Sequence, residues 1–130
     1  MDKSETYVKM SGKAEEIQNG WQPQVDDYWC WFSCPERIYL IQHYLPVVGE
    51  RTKEGNCKVW LPRQDQLQEM IEVVDPKPHK LIKMLWDWVA ITGNTQFESM
   101  EQLWLAFVMK DNGEVWTGED WQKERQEVKR

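Results

Sequence analysis

The chain is expected to fold as an α+β domain, a small three-stranded antiparallel sheet packed against three or four helices. Two observations predict this. Three short runs of aromatic and β-branched residues come first, and three stretches of helical period follow them, in separate blocks. The intervals between runs hold turn residues such as Pro23, Pro35, Pro46 and Pro62.

Taken in order, residues 1–10 show no apolar periodicity and read as a loose tail, leaving 11–130 as a single domain. Ser11 is placed to cap a short helix over residues 12–18, with Ala14, Ile17 and Trp21 as its apolar stripe and Asn19-Gly20 as its stop. Tyr28-Trp29-Cys30-Trp31-Phe32 suits a pleated surface, Ser33-Cys34-Pro35-Glu36 reads as a turn, and Arg37–Ile41 returns as the second strand of a hairpin. Cys57–Leu61 is a third strand, whose alternation sets Cys57, Val59 and Leu61 on one face.

Beyond Pro62 the period changes. Leu67, Met70, Ile71 and Val74 recur at helical spacing until Asp75-Pro76-Lys77-Pro78 breaks the run. A second helix carries Leu81, Ile82, Leu85, Trp86 and Val89 and stops at Gly93-Asn94. Ser99-Met100-Glu101-Gln102 is a capping-box sequence that opens a third helix. That helix is apolar almost all round and is expected at the centre of the core. Leu103, Trp104, Phe107 and Val108 are expected to be buried there with Leu81, Leu85, Trp86, Leu67 and Ile71. The stretch from Thr117, polar except for Trp121, reads as an exposed final helix.

Composition narrows the class of object. The 130 residues include nine tryptophans, and each indole can bury about 150–250 Å². The helix stripes leave Trp88, Trp116 and Trp121 unplaced, so some indoles are expected on the surface. A net charge of −6 disfavours non-specific nucleic-acid binding, which needs lysine and arginine to displace counterions from phosphate. No apolar run reaches the roughly 18 residues of a membrane span, so no membrane partner is expected. The opening Met1-Asp2-Lys3-Ser4-Glu5 lacks the apolar stretch of a secretory signal, so the cytoplasm is the expected location. Three cysteines without a secretion signal are expected to be free thiols rather than disulfides.

Three strings carry a resemblance. They are Lys13-Ala14-Glu15-Glu16-Ile17-Gln18 leading to Trp21-x-Pro23 and Asp26-Asp27-Tyr28; Trp60-Leu61-Pro62-Arg63-Gln64-Asp65-Gln66-Leu67-Gln68-Glu69-Met70; and Ser99-Met100-Glu101-Gln102-Leu103-Trp104-Leu105-Ala106-Phe107-Val108-Met109-Lys110 with Trp116 and Trp121. Over about residues 11–121 the chain resembles a family of small proteins encoded in phage and prophage genomes of Gram-positive bacteria. The resemblance implies an origin and a host cytoplasm; it assigns no activity.

Motifs for catalysis are weak. Cys34 with His43 or His79 is the only thiol–imidazole pairing, and neither a nucleophile elbow nor a phosphate-cradling glycine loop occurs. A zinc site could draw on Cys30, Cys34, His43 and Cys57, but only Cys30 and Cys34 have knuckle spacing and no second pair exists. No metal, no cofactor and no enzymatic activity are therefore expected.

Binding is the better-supported class. Trp29 and Trp31 lie on one side of a strand and could form an aromatic face. Arg63, Gln64 and Gln66 open a helix and could supply a polar rim, unless Asp65 simply caps the first turn and the glutamines are solvated. A protein partner or a second copy of the chain, as a homodimer, is the expected ligand. Single-stranded nucleic acid stacked on the aromatic face is the alternative.

Overall fold

A computed structural model describes residues 1–42, 57–71, 77–93 and 95–123. The fold is α+β. It contains helices α1 (Glu5–Lys13), α2 (Glu15–Asn19), α3 (Gln64–Glu69), α4 (Pro78–Thr92) and α5 (Met100–Asp111). The strands are β1 (Tyr28–Trp31), β2 (Cys34–Leu40), β3 (Lys58–Leu61), β4 (Glu114–Trp116) and β5 (Trp121–Lys123). The expected three-stranded antiparallel sheet is present in the order β2-β1-β3, and β4 and β5 form a second, two-stranded sheet. Among the described residues no helix is long and apolar enough to cross a membrane.

The N-terminal segment is not a loose tail. Ser4 caps α1 by accepting the Tyr7 N–H at 3.2 Å, and Tyr7, Val8, Met10 and Ser11 are buried. One side of α1 packs on β3 and another on α5, so it lies between sheet and helices. The Tyr7 hydroxyl donates to the Pro62 carbonyl at 2.6 Å, tying α1 to the end of β3. Asp2 extends the anchorage, accepting from Ser99 Oγ at 2.5 Å and Gln102 Nε2 at 2.9 Å. Burial alone would raise the Asp2 pKa, but hydrogen bonds from Ser4, Ser99 and Gln102 outweigh it and hold the carboxyl below its ordinary range. Ser11 is thus a buried interior residue of α1 rather than the cap of a helix over 12–18; the break falls at Ala14, and α2 follows.

The hairpin turns one position earlier than expected. Cys34 already belongs to β2, opposite Trp31, and Phe32-Ser33 make the turn. On the helix-facing side Cys30, Val59 and Leu61 are buried, with Gly12 of α1 close over Val59. The outer edge of β3 is closed by one side chain. Gln18 Oε1 accepts the Trp60 N–H and its Nε2 donates to the Trp60 carbonyl, both at 2.8 Å, so an amide stands where another strand's backbone would pair.

Helix α5 occupies the centre. Trp104, Leu105 and Met109 are fully buried, and α1, α3, α4 and β4 pack around it. Ser99 accepts the Gln102 N–H at 3.1 Å, as its sequence implies, but Gln102 Oε1 accepts from Glu98 N, one residue ahead of the expected box partner. Of the expected core, Leu67, Ile71, Leu81, Leu85, Trp104, Phe107 and Val108 are buried and Leu103 is half-buried. Trp86 is the exception and points outward.

The expected final helix is a hairpin over its described part. Thr117 Oγ1 accepts from both Glu119 N and Asp120 N, and Gly118 takes a left-handed φ of 102°, which turns the chain back. Trp116 and Trp121 then meet as a cross-strand pair, 5.1 Å between centroids. The Trp121 indole donates to the Met10 carbonyl at 2.9 Å, so an indole with no place in a helix stripe caps the end of α1. Lys13 donates to Glu119 O and Asp120 Oδ1, and Lys9 pairs with Glu119.

Candidate interaction surface

Strand alternation places Trp29 and Trp31 on one side of β1, as expected, with rings 5.3 Å apart and edge to face. Tyr39 of β2 stacks on Trp29 at 4.9 Å, and Lys58 of β3 lies over Trp31 at 4.9 Å. Trp60 is the register partner of Trp29 and therefore shares this face. It is not open, however: Trp21 lies parallel to it, 6.0 Å away, and both are buried. The face is an aromatic layer whose β3 side the chain covers itself. Trp29 and Trp31 are left half-buried.

The polar group beside it is a closed network. Asp27 is buried; its Oδ2 accepts the Trp21 indole N–H at 3.0 Å and the Gln24 N–H at 2.9 Å, and its Oδ1 accepts Gln66 Nε2 at 2.6 Å. Arg63 Nη1 lies 3.5 Å from Asp27 and donates to the Asp26 carbonyl at 2.5 Å, while its Nε donates to Asp65 at 3.1 Å. Partial burial disfavours the Arg63 charge, but Asp65, Asp27 and Asp26 outweigh this and raise its pKa. Asp26 has a φ of 75°, a left-handed turn that aspartate tolerates, and this presents its carbonyl to Arg63. Gln66 Oε1 also accepts the Arg63 backbone N–H at 2.9 Å, opening α3. Arg63 and Gln66 are thus committed inside the molecule, and Gln64 is a half-buried first residue of α3. A cleft of about 240 Å³ borders the network, lined among others by Trp21, Gln24, Asp27, Trp60, Gln66 and Met70.

Among the described residues, the most exposed large apolar side chains are on α4, where sequence reasoning placed a core residue. Only Leu81 and Leu85 of this helix are buried. Ile82 is 61 % exposed, Trp86 70 % and Ile91 85 %, with Met84 also exposed. At 100° per residue, Ile82 and Trp86 flank the buried stripe on one side, and Met84 and Ile91 on the other. Trp88 is half-buried against Phe107, 5.4 Å between centroids. A groove of about 300 Å³ runs beside the C-terminal end of α4 between Trp88, Thr92, Ala106, Lys110, Val115 and Trp116. The signal for this surface was in the sequence. The apolar arc of α4 spans more than half of the helix, wider than one neighbouring helix covers.

Cysteine chemistry is muted. All three thiols are free, Cys34 Sγ donates to Glu36 at 3.2 Å, and burial beside Cys34 pushes the Cys30 thiol up to about 11. No group of three or more potential metal ligands occurs among the described residues, and His43 lies outside them. Native protein treated with iodoacetamide at about pH 8 should keep Cys30 unmodified, because thiolate is the reacting species. Peptide mass mapping showing Cys30 alkylated as fast as in urea would contradict its placement. The raised value has a stability consequence. The unfolded thiol ionises near 9 while the folded one holds its proton, so stability falls as pH rises from about 9 towards about 11.

Compared with models of known protein families, with curated proteins and with solved structures, the chain has no significant match in any of the three.

Proposed function

We propose that this is a non-enzymatic accessory protein of phage or prophage origin that acts in the host cytoplasm by binding protein through α4. The observation that carries the reading is the exposure of Ile82, Trp86 and Ile91 on a helix that buries only two side chains. Monomers seldom leave contiguous apolar surface beyond a few hundred Å² unused. Covering Trp86 alone would contribute about 3–4 kcal/mol gross at about 25 cal/mol per Å². The network at Asp27 is, by contrast, satisfied within the chain.

A photo-crosslinking residue placed singly at positions 82, 86 and 91 should give discrete heavier adducts in the cytoplasm of the expressing cell. Exposed Thr6 on α1 serves as the control position. An adduct pattern at all three positions no different from that at position 6 would sink the reading. Nucleic-acid binding keeps one specific support, the Trp29–Trp31–Tyr39 layer with Lys58 over it. Salt-dependent retention on single-stranded DNA, lost in Trp31→Ala, would favour that reading instead.

A further inference from the structure

The C-terminal hairpin is held near its tip by Lys9, Lys13 and the Trp121 indole, but its base meets α2 through two carboxyl groups. Glu114, the first residue of β4, follows a turn at Gly113, whose φ of 75° is left-handed. The Glu16 carboxyl of α2 lies within hydrogen-bonding reach of the Glu114 carboxyl. One Glu114 oxygen, Oε2, is shielded from solvent and has no donor among the described residues.

A carboxylate oxygen with neither water nor a donor is a poorly solvated charge, whereas a protonated carboxyl can donate to its neighbour. Two carboxyls in contact therefore favour holding one proton between them. The charges around the pair do not replace that proton. From β5, Lys123 is the register partner of Glu114, but its ammonium reaches the Asn112 carbonyl at 3.5 Å. From α5, Lys110 lies over the Phe107 ring and pairs with Asp111 at 3.2 Å. From α2, Glu15 adds a further negative charge. Helix α4 brings only the uncharged Trp88 and Thr92 to the groove that Glu114 borders.

We propose that one proton shared by Glu16 and Glu114 latches the base of the C-terminal hairpin to α2, and that its loss opens the latch. The two partners are unequal. Glu16 is exposed, on a helix whose backbone is fixed by buried Ile17 and by Gln18 on Trp60. Glu114 is half-buried. On deprotonation Glu16 turns to water, while Glu114 keeps its shielded oxygen and the cost falls on β4. Glu114, Val115 and Trp116 form one wall of the groove beside α4, so the latch sets the position of that wall.

The latch makes stability depend on pH in one direction. Burial first, then the Glu16 carboxyl and the Glu15 charge, raise the Glu114 pKa, and Lys123 only partly offsets them. An unfolded glutamate ionises near 4.5 and folded Glu114 above that value. The stabilisation is therefore complete below about 4.5 and is lost as pH rises through the folded value.

Carboxyl carbon NMR of the full chain should show Glu114 titrating at higher pH than the exposed glutamates, with the Gly113 and Val115 amides shifting at the same midpoint. Glu16→Ala, which removes the partner, should bring the Glu114 midpoint down. Glu114→Gln, whose amide can donate to Glu16 at any pH, should unfold about 2–4 °C above the parent at pH 7 and within about 1 °C of it at pH 4. Glu15→Gln removes the same charge beside the pair and should leave most of the pH dependence in place. A Glu114 midpoint no higher than that of the exposed glutamates, or one unmoved by Glu16→Ala, overturns the latch even if Glu114→Gln does not fold. A gain in Glu114→Gln that is equal at the two pH values, or matched by Glu15→Gln, overturns it as well.

Discussion

Trp104→Ala should destabilise the protein by about 3–5 kcal/mol, the cost of removing a large buried aromatic from a core that cannot fully collapse around the gap. Trp104 has no exposed surface and meets Phe107 edge to face at 6.0 Å; Phe107 in turn meets Trp88 of α4. Its indole nitrogen has no acceptor among the described residues, so the loss is one of packing and not of a hydrogen bond. Trp104→Phe, which retains much of the volume, should therefore recover most of the stability. The measurement is the midpoint of denaturant unfolding. A parental midpoint for the alanine variant would mean that α5 is not the centre of the core.

Asp27→Ala should cost about 3 kcal/mol, by a different mechanism. The variant strands three donors, the Trp21 indole, the Gln24 backbone N–H and the Gln66 amide, and removes one of the carboxylates around Arg63. Leaving buried donors unpaired costs more than the net value of the bonds themselves. A second change should recover part of the loss. In a background of Arg63→Met the Asp27→Ala step should be less damaging, because the Arg63–Asp27 pair that it breaks is already absent. Equal costs in both backgrounds, read from urea unfolding, would show that Arg63 and Asp27 act independently.

These two sites differ in how far they were legible from the sequence. Trp104 lies in a helix whose every side is apolar, and such a helix can only sit at a centre. The Asp27 network joins residues 21–27 to residues 63–66, two segments far apart in the chain. Reading the second segment alone showed polar side chains at a helix start and suggested a rim for a partner. Arg63 and Gln66 also make internal bonds, because the turn at Asp26 and the stacked Trp21–Trp60 pair bring a buried carboxylate to them.

By itself the sequence determined the α+β class, the hairpin with Trp29 and Trp31 on one side, the stop of α4 at Gly93 and the central place of α5. Each follows from a local period or a local cap, which depends on neighbours a few residues away. Only the tertiary structure decided the rest. Helix α1 buries Tyr7, Val8, Met10 and Ser11, a set with no clean apolar period in the sequence, whose burial follows only from the sheet and α5 packing on it. The polar stretch after Thr117 becomes a hairpin because Trp121 finds Trp116 and the end of α1. Trp86 is outside because α4 offers more apolar circumference than the core can cover. A period says that a side chain lies on an apolar arc; which part of an over-wide arc is buried depends on what packs against it.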